Sequence, residues 1–111
     1  MQQLSKREMS FFDITPSEKN LLMLNVLGNL YCVTILETVQ EIPKSAVEIN
    51  AETRIPITTV YRKIQTLHDL GLLKVSGSIS KDGKKYFLYK SKVKSIKAKF
   101  DGKLTVEVKL D

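Results

Sequence analysis

The stretch Ile55-Pro-Ile-Thr-Thr-Val-Tyr-Arg-Lys-Ile-Gln-Thr-Leu-His-Asp-Leu-Gly-Leu-Leu73 decides the fold of this chain. After the short connection Arg54-Ile55, the segment from Pro56 to Leu70 reads as a helix. Gly71 suits the far end, where a left-handed residue closes a helix without a Cβ penalty. Between them Val60, Ile64 and Leu67 recur at helical spacing. With Val60 at zero and about 100° per residue, Ile64 falls near 40° and Leu67 near 340°, which makes one core stripe. Thr58, Gln65 and Arg62 fall at about 160°, 140° and 200°. A helix over 56–70 thus buries one side and turns three polar side chains outward, bordered by Thr59, Tyr61 and Thr66.

Upstream, the spacing predicts three more helices. Thr15-Pro16-Ser17-Glu18 is a helix start, with Thr15 able to cap and Glu18 able to reach back to its N–H. The first helix runs to about Leu27. Its Leu21, Leu22, Met23, Leu24, Val26 and Leu27 spread round more than one face, more apolar surface than a small core needs. The excess suits a second subunit. Asn29 caps a second helix from Leu30 to about Glu41, with Val33, Leu36 and Val39 or Gln40 inward, and Pro43 stops it. A third helix spans about Ser45 to Thr53, with Ser45 and Glu48 forming a capping box and Ala46, Ile49 and Thr53 facing inward. Residues 1–14 lack periodicity and read as a flexible N-terminal arm, mobile or docked through Phe11 and Phe12, ahead of one domain over 15–111.

Downstream of Gly71 the period changes to that of strands. Leu72 to Ile79 and Lys84 to Lys90 flank Ser80-Lys81-Asp82-Gly83, a loop with turn chemistry, and form a hairpin over about 72–90. A second hairpin occupies 93–111, where Asp101-Gly102 turns the chain between alternating segments Ile96 to Phe100 and Leu104 to Leu110. Each strand has one apolar and one polar face, so the apolar faces are expected to be covered.

Composition narrows the function classes. The chain has 111 residues, 42% hydrophobic and 27% charged, which suits one globular domain. No run approaches the length of a membrane span, and the N-terminus lacks a signal core, so a cytoplasmic protein is expected. The net charge is +6 and unevenly placed: residues 1–71 carry seven bases and eight acids, whereas residues 72–111 carry eleven lysines and four acids. That surplus suits a polyanion, and a lysine-coated sheet edge that discourages aggregation has the same composition. One cysteine, Cys32, and one histidine, His68, leave no metal site, no cofactor and no enzyme to expect. Cys32 reads as a small buried hydrophobe, and His68, on the edge of the core stripe, as a packing or capping residue.

The order helix, helix, short helix, turn, helix, hairpin is that of a winged helix-turn-helix, an α+β fold whose fourth helix here would enter the major groove. Arg62 can bond guanine in pairs, Gln65 can pair with adenine, and Thr58 can touch a thymine methyl. Tyr61 and Lys63 are placed for phosphates. The chain resembles a known group. Val26-Leu-Gly-Asn-Leu-Tyr-Cys-Val-Thr-Ile-Leu-Glu-Thr-Val39, Lys44-Ser-Ala-Val-Glu-Ile49 and Ile55 to Leu73 are similar to the winged-helix regulators of the Ars-repressor-like group, in an archaeal style, over about residues 26–90. Its most specific parts are Thr59-Val60-Tyr61-Arg62 and Leu70-Gly71-Leu72-Leu73, where that group has its recognition helix and the start of its wing. The resemblance implies that Thr58, Thr59, Tyr61, Arg62 and Gln65 face DNA and that Lys81, Lys84 and Lys85 act from the wing. Three departures stand out. The paired cysteines of metal-sensing members have no counterpart, so metal sensing is not implied. Arg54 occupies a turn position where glycine is common and adds a candidate phosphate contact. The C-terminal dimerisation helix of many members is replaced by the second hairpin.

The expected function is therefore a sequence-specific, double-stranded-DNA-binding transcription regulator, working as a homodimer on a palindromic site. The alternative is a winged-helix protein–protein interaction module of a transcription assembly, using the same face on protein.

Overall fold

A computed structural model describes residues 16–111; the expected arm over 1–14 and the Thr15 cap lie outside the described residues. The chain is α+β. Helices α1 (Pro16–Leu27), α2 (Leu30–Thr38), α3 (Ala46–Thr53) and α4 (Ile57–Asp69) are followed by strands β1 (Leu73–Ile79) and β2 (Lys85–Ser91), then β3 (Val93–Phe100) and β4 (Leu104–Leu110). The strands form two separate antiparallel hairpins, paired from Leu73↔Ser91 to Ile79↔Lys85 and from Val93↔Leu110 to Phe100↔Leu104.

The helix ends follow from local chemistry. Asn29 caps α2 by accepting from the Cys32 N–H at 3.0 Å. Ser45 and Glu48 form the reciprocal capping box of α3. Helix α4 closes in a Schellman motif: Gly71, at φ 77°, donates to His68 O at 2.9 Å, and Leu72 donates to Leu67 O at 3.0 Å. Both members of the accompanying apolar pair, Leu67 and Leu72, are fully buried.

Helix α2 stops at Thr38, three residues before the expected Glu41. Past Val39 the backbone leaves the helical ladder, the Gln40 N–H reaching back three residues to Glu37 O at 3.4 Å, and the Val39 carbonyl has no donor of its own helix, since Pro43 lacks an N–H. The Ser91 N–H takes that carbonyl instead at 3.0 Å, and Gln40 donates its side-chain amide to Val93 O at 2.8 Å. The inner stripe of α2 is Cys32, Ile35, Leu36 and Val39, with Val33 only half-buried. Apolar residues ring most of α2, so its own pattern leaves the inward side undecided, and packing against α4 and α1 selects it.

Arg54 takes the left-handed conformation at φ 63°, which a Cβ disfavours. The turn is held by Asn50 Nδ2 donating to Ile55 O at 2.6 Å and by the Ile55 N–H donating to Thr53 Oγ1 at 3.2 Å. Because the Arg54 side chain is exposed, Arg54→Gly should raise stability by about 0.5–1 kcal/mol, the released strain exceeding the greater freedom of glycine in the unfolded chain. Urea titration checks this; a loss above about 1 kcal/mol would show that the Arg54 side chain stabilises the turn by packing.

The core lies among α2, α3 and α4, where Ile35, Val39, Ile49, Val60 and Leu67 have no exposed surface, and Leu72 seals it from the start of β1. Two backbone bonds, Lys44 N–H to Tyr89 O at 3.0 Å and Tyr89 N–H to Lys44 O at 2.8 Å, pin β2 to the turn before α3. Beyond that bridge the first hairpin leaves the core: Val75, Ile79 and Phe87, which share one face, are exposed, so its apolar side is uncovered, against expectation, and Tyr86 on the opposite face is exposed too. Its stability rests on its buried base, Leu73 and Ser91, and on the cross-strand ladder. The second hairpin is covered in part. Helix α1 packs on β4, Asn20 Nδ2 donates to Leu104 O at 3.4 Å, and Ile96, Val106 and Val108 join the core edge. Phe100 remains 75% exposed. On α1, Met23 and Val26 are buried while Leu21 and Leu24 face solvent, the apolar surplus expected there. Among the described residues, no single helix is long and apolar enough to cross a membrane.

Candidate nucleic-acid interface

Helix α4 carries the candidate face. Val60, Ile64 and Leu67 are buried beneath it, and Thr58, Arg62 and Gln65 are exposed on the opposite side. Those side chains are long or hydroxyl-bearing and engage only their own helix. Arg62 Nη2 lies 3.5 Å from Thr59 Oγ1, Thr66 Oγ1 donates to Arg62 O at 3.2 Å, and Gln65 Nε2 donates to Asp69 Oδ1 at 2.8 Å. Each contact is between surface groups and can be exchanged for a ligand at little net cost, since exposed bonds of this kind contribute little.

The flanks differ. Lys63 is half-buried on the side toward α2. Burial pushes the Cys32 thiol above its ordinary pKa, and the Lys63 ammonium opposes that shift. Cys32 is therefore a protonated, buried, free thiol, the small hydrophobe expected. Tyr61, on the other flank, lines a cleft of about 360 Å³ together with Ser45, Val47, Lys85, Phe87 and Tyr89. Burial is the main cause that raises the Tyr89 phenol above its usual pKa, with Tyr61 adding to it. His68 is exposed and does not pack into the core stripe; of the packing or capping role expected, its carbonyl takes part in closing α4, accepting from the Gly71 N–H at 2.9 Å.

The first hairpin brings Lys85 beside Tyr61. Lys81, Lys84 and Lys85 are exposed, and the Lys85 ammonium sits 5.6 Å from the centre of the Phe87 ring. The five residues between the strands are tied to one another: Ser80 N–H donates to Lys84 O at 2.8 Å, and Gly83 N–H to Ser80 O at 2.9 Å. The Asp82 carboxylate accepts from the Ser80 hydroxyl and from the Lys84 N–H, bonds that hold its pKa below the ordinary carboxylate value. Lys81 and Lys84 thus project from an ordered turn. Lys44 and Lys90 are engaged elsewhere, on Glu52 at 2.9 Å and on Gln40 O at 3.2 Å. In the second hairpin Lys94, Lys97, Lys99, Lys103 and Lys109 are exposed, and Lys99 pairs with Asp101 at 3.2 Å.

The structure thus gathers Thr58, Arg62 and Gln65 on one exposed face, sets Tyr61 and Lys85 together beside it, and holds Lys63 on the opposite flank, half-buried. Arg54 stands in the turn that leads into α4. Two features escaped sequence reasoning. Asp69, at about 180° from Val60, lies in the middle of the polar face, and the same helical arithmetic locates it. The aromatic cleft has no signal in sequence, because it depends on which β2 residue meets Lys44. Among the described residues no three His, Cys, Asp or Glu side chains gather as metal ligands would. No family model matches the chain, and no curated protein is significantly similar to it.

Proposed function

We propose that this chain is a sequence-specific, double-stranded-DNA-binding transcription regulator of winged-helix type, with α4 as recognition helix and β1–β2 as wing. The observation that carries the reading is the exposed trio Thr58, Arg62 and Gln65 directly opposite the buried stripe of α4, beside a hairpin with exposed Lys81, Lys84 and Lys85. Such side chains hold the donors and acceptors that base edges in the major groove require. The lysines supply salt-dependent attraction to phosphates. The reading includes a cytoplasmic homodimer of archaeal style, with recognition helices about 34–36 Å apart on a palindrome. Exposed Leu21 and Leu24 on α1, which packs on β4 and α2, leave an apolar surface suited to the second subunit.

Selection of bound duplexes from a random pool, then salt titration on the winner, tests the proposal. An enriched palindrome with a steep negative salt slope is expected. Lys84→Ala should weaken selected and random duplexes alike and reduce the magnitude of the salt slope by about 1. The variant keeps the Lys84 N–H that Ser80 and Asp82 hold, so the turn stays intact. Unequal losses on the two duplexes would move Lys84 from phosphate contact to base reading.

The aromatic cleft favours one second reading, in which the same region docks a protein of a transcription assembly. An aromatic-lined concavity is the usual form of an anchor pocket for a partner side chain. No enriched motif and no duplex binding at low salt would select that reading.

A further inference from the structure

We infer that Asp69 is a positioning residue for base reading: its carboxylate orients the Gln65 amide, raising discrimination while lowering affinity for every duplex. The inference rests on the DNA-binding reading above. Gln65 Nε2 donates to Asp69 Oδ1 at 2.8 Å, one helical turn apart on the exposed face of α4. An ionised carboxylate only accepts hydrogen bonds, so the amide nitrogen must face Asp69 and the amide oxygen must face away. That leaves Gln65 with one N–H and an unengaged carbonyl oxygen. Adenine in the major groove asks for that pair, a donor to N7 and an acceptor for the N6 amino group. A Gln held in this orientation before contact loses less side-chain freedom on binding than a free one.

The same carboxylate opposes the rest of its face. Asp69 is exposed, it is the last residue of α4, and no cation is paired with it among the described contacts. An acid there meets the negative end of the helix dipole and, in a groove, the phosphates on both sides. Repulsion from a single phosphate at about 7 Å in water is enough to weaken binding about threefold whatever the sequence. The two effects are separable, because Asn keeps an acceptor oxygen for Gln65 and removes the charge.

The test measures affinity of the full chain and of D69N, D69A and Q65A for the selected duplex, for each of its single base-pair variants, and for a random duplex. Both Asp69 variants should bind the random duplex about threefold more tightly than the parent. D69N should keep the single-position profile. D69A should lose roughly two- to tenfold of discrimination at one A·T pair only. The position should be the one at which Q65A loses preference, and D69A should add nothing in a Q65A background. Both Asp69 variants remove a charge that the helix dipole disfavours, so folding is retained, and thermal unfolding checks it. A D69A profile identical to the parent, or a D69N profile as flat as that of D69A, overturns the inference alone. Failure of the parent to bind any duplex overturns the DNA reading and this inference with it.

Discussion

Arg62→Ala is expected to weaken binding to the selected duplex by about 10- to 100-fold, near 1–3 kcal/mol, and to abolish preference at one base pair. Binding to a random duplex should fall only by the few-fold effect of one lost charge. The asymmetry follows from where Arg62 sits. It lies on the exposed side of α4, opposite Val60 and Leu67, and its guanidinium meets only Thr59 Oγ1 at 3.5 Å. Nothing in the fold depends on that contact, so stability should stay within about 0.5 kcal/mol of the parent. Lysine at this position keeps the charge and loses the two-pronged geometry, so Arg62→Lys should restore random binding without restoring the preference. Quantitative binding to the selected duplex and its single-pair variants decides the matter. Equal losses on selected and random duplexes would make Arg62 a phosphate contact and transfer base reading to Thr58 and Gln65.

The second large effect concerns stability. Leu67→Ala should cost about 2–5 kcal/mol, a substantial part of the roughly 5–15 kcal/mol available to a small domain. Leu67 has no exposed surface, and its carbonyl receives the Leu72 N–H that closes α4. The truncation opens a void in the core, where Leu67, Val60 and Leu72 all have no exposed surface. Urea unfolding with an unchanged slope and a lower midpoint is the expected record. Val75→Ala, on the protruding hairpin, serves as the comparison: Val75 is 36% exposed, and its loss should cost less than about 1 kcal/mol. A cost for Leu67→Ala no greater than for Val75→Ala would show that the core has been misplaced.

Helix α4 shows how far local patterns carry. Its three buried residues and its closure at Gly71 are where spacing and end chemistry put them, whereas Pro56, expected as the first helical residue, is the extended residue that precedes Ile57, at ψ 140°. The caps at Asn29 and Ser45 are equally local, each a side chain reaching an N–H within its own first turn. Helix α2 shows where such patterns run out. With Leu30, Tyr31, Cys32, Val33, Ile35 and Leu36 nearly continuous, most of the circumference of α2 is apolar enough to face inward, and only contact with α4 and α1 chooses among the possible sides. Pro43, which is legible, sets only the outer limit near Glu41; the earlier end goes with bonds from Ser91 to Val39 O and from Gln40 to Val93 O, between segments far apart in the chain, which are not legible.

The outward face of α4 was determined by sequence alone, since Thr58, Arg62 and Gln65 stand opposite an apolar stripe whatever that stripe packs against. Asp69 belongs to the same face by the same geometry. Long-range placement was decided only by the tertiary structure. The Lys44–Tyr89 bridge sets the register of β2 against α3 and brings Lys85 and Phe87 to Tyr61, because backbone bonds between distant segments leave no periodic trace in either one. The same limit applies to the apolar sides of the hairpins. Alternation says that a side is apolar, and the path of the chain decides that α1 covers β4 while Val75, Ile79 and Phe87 stay in solvent.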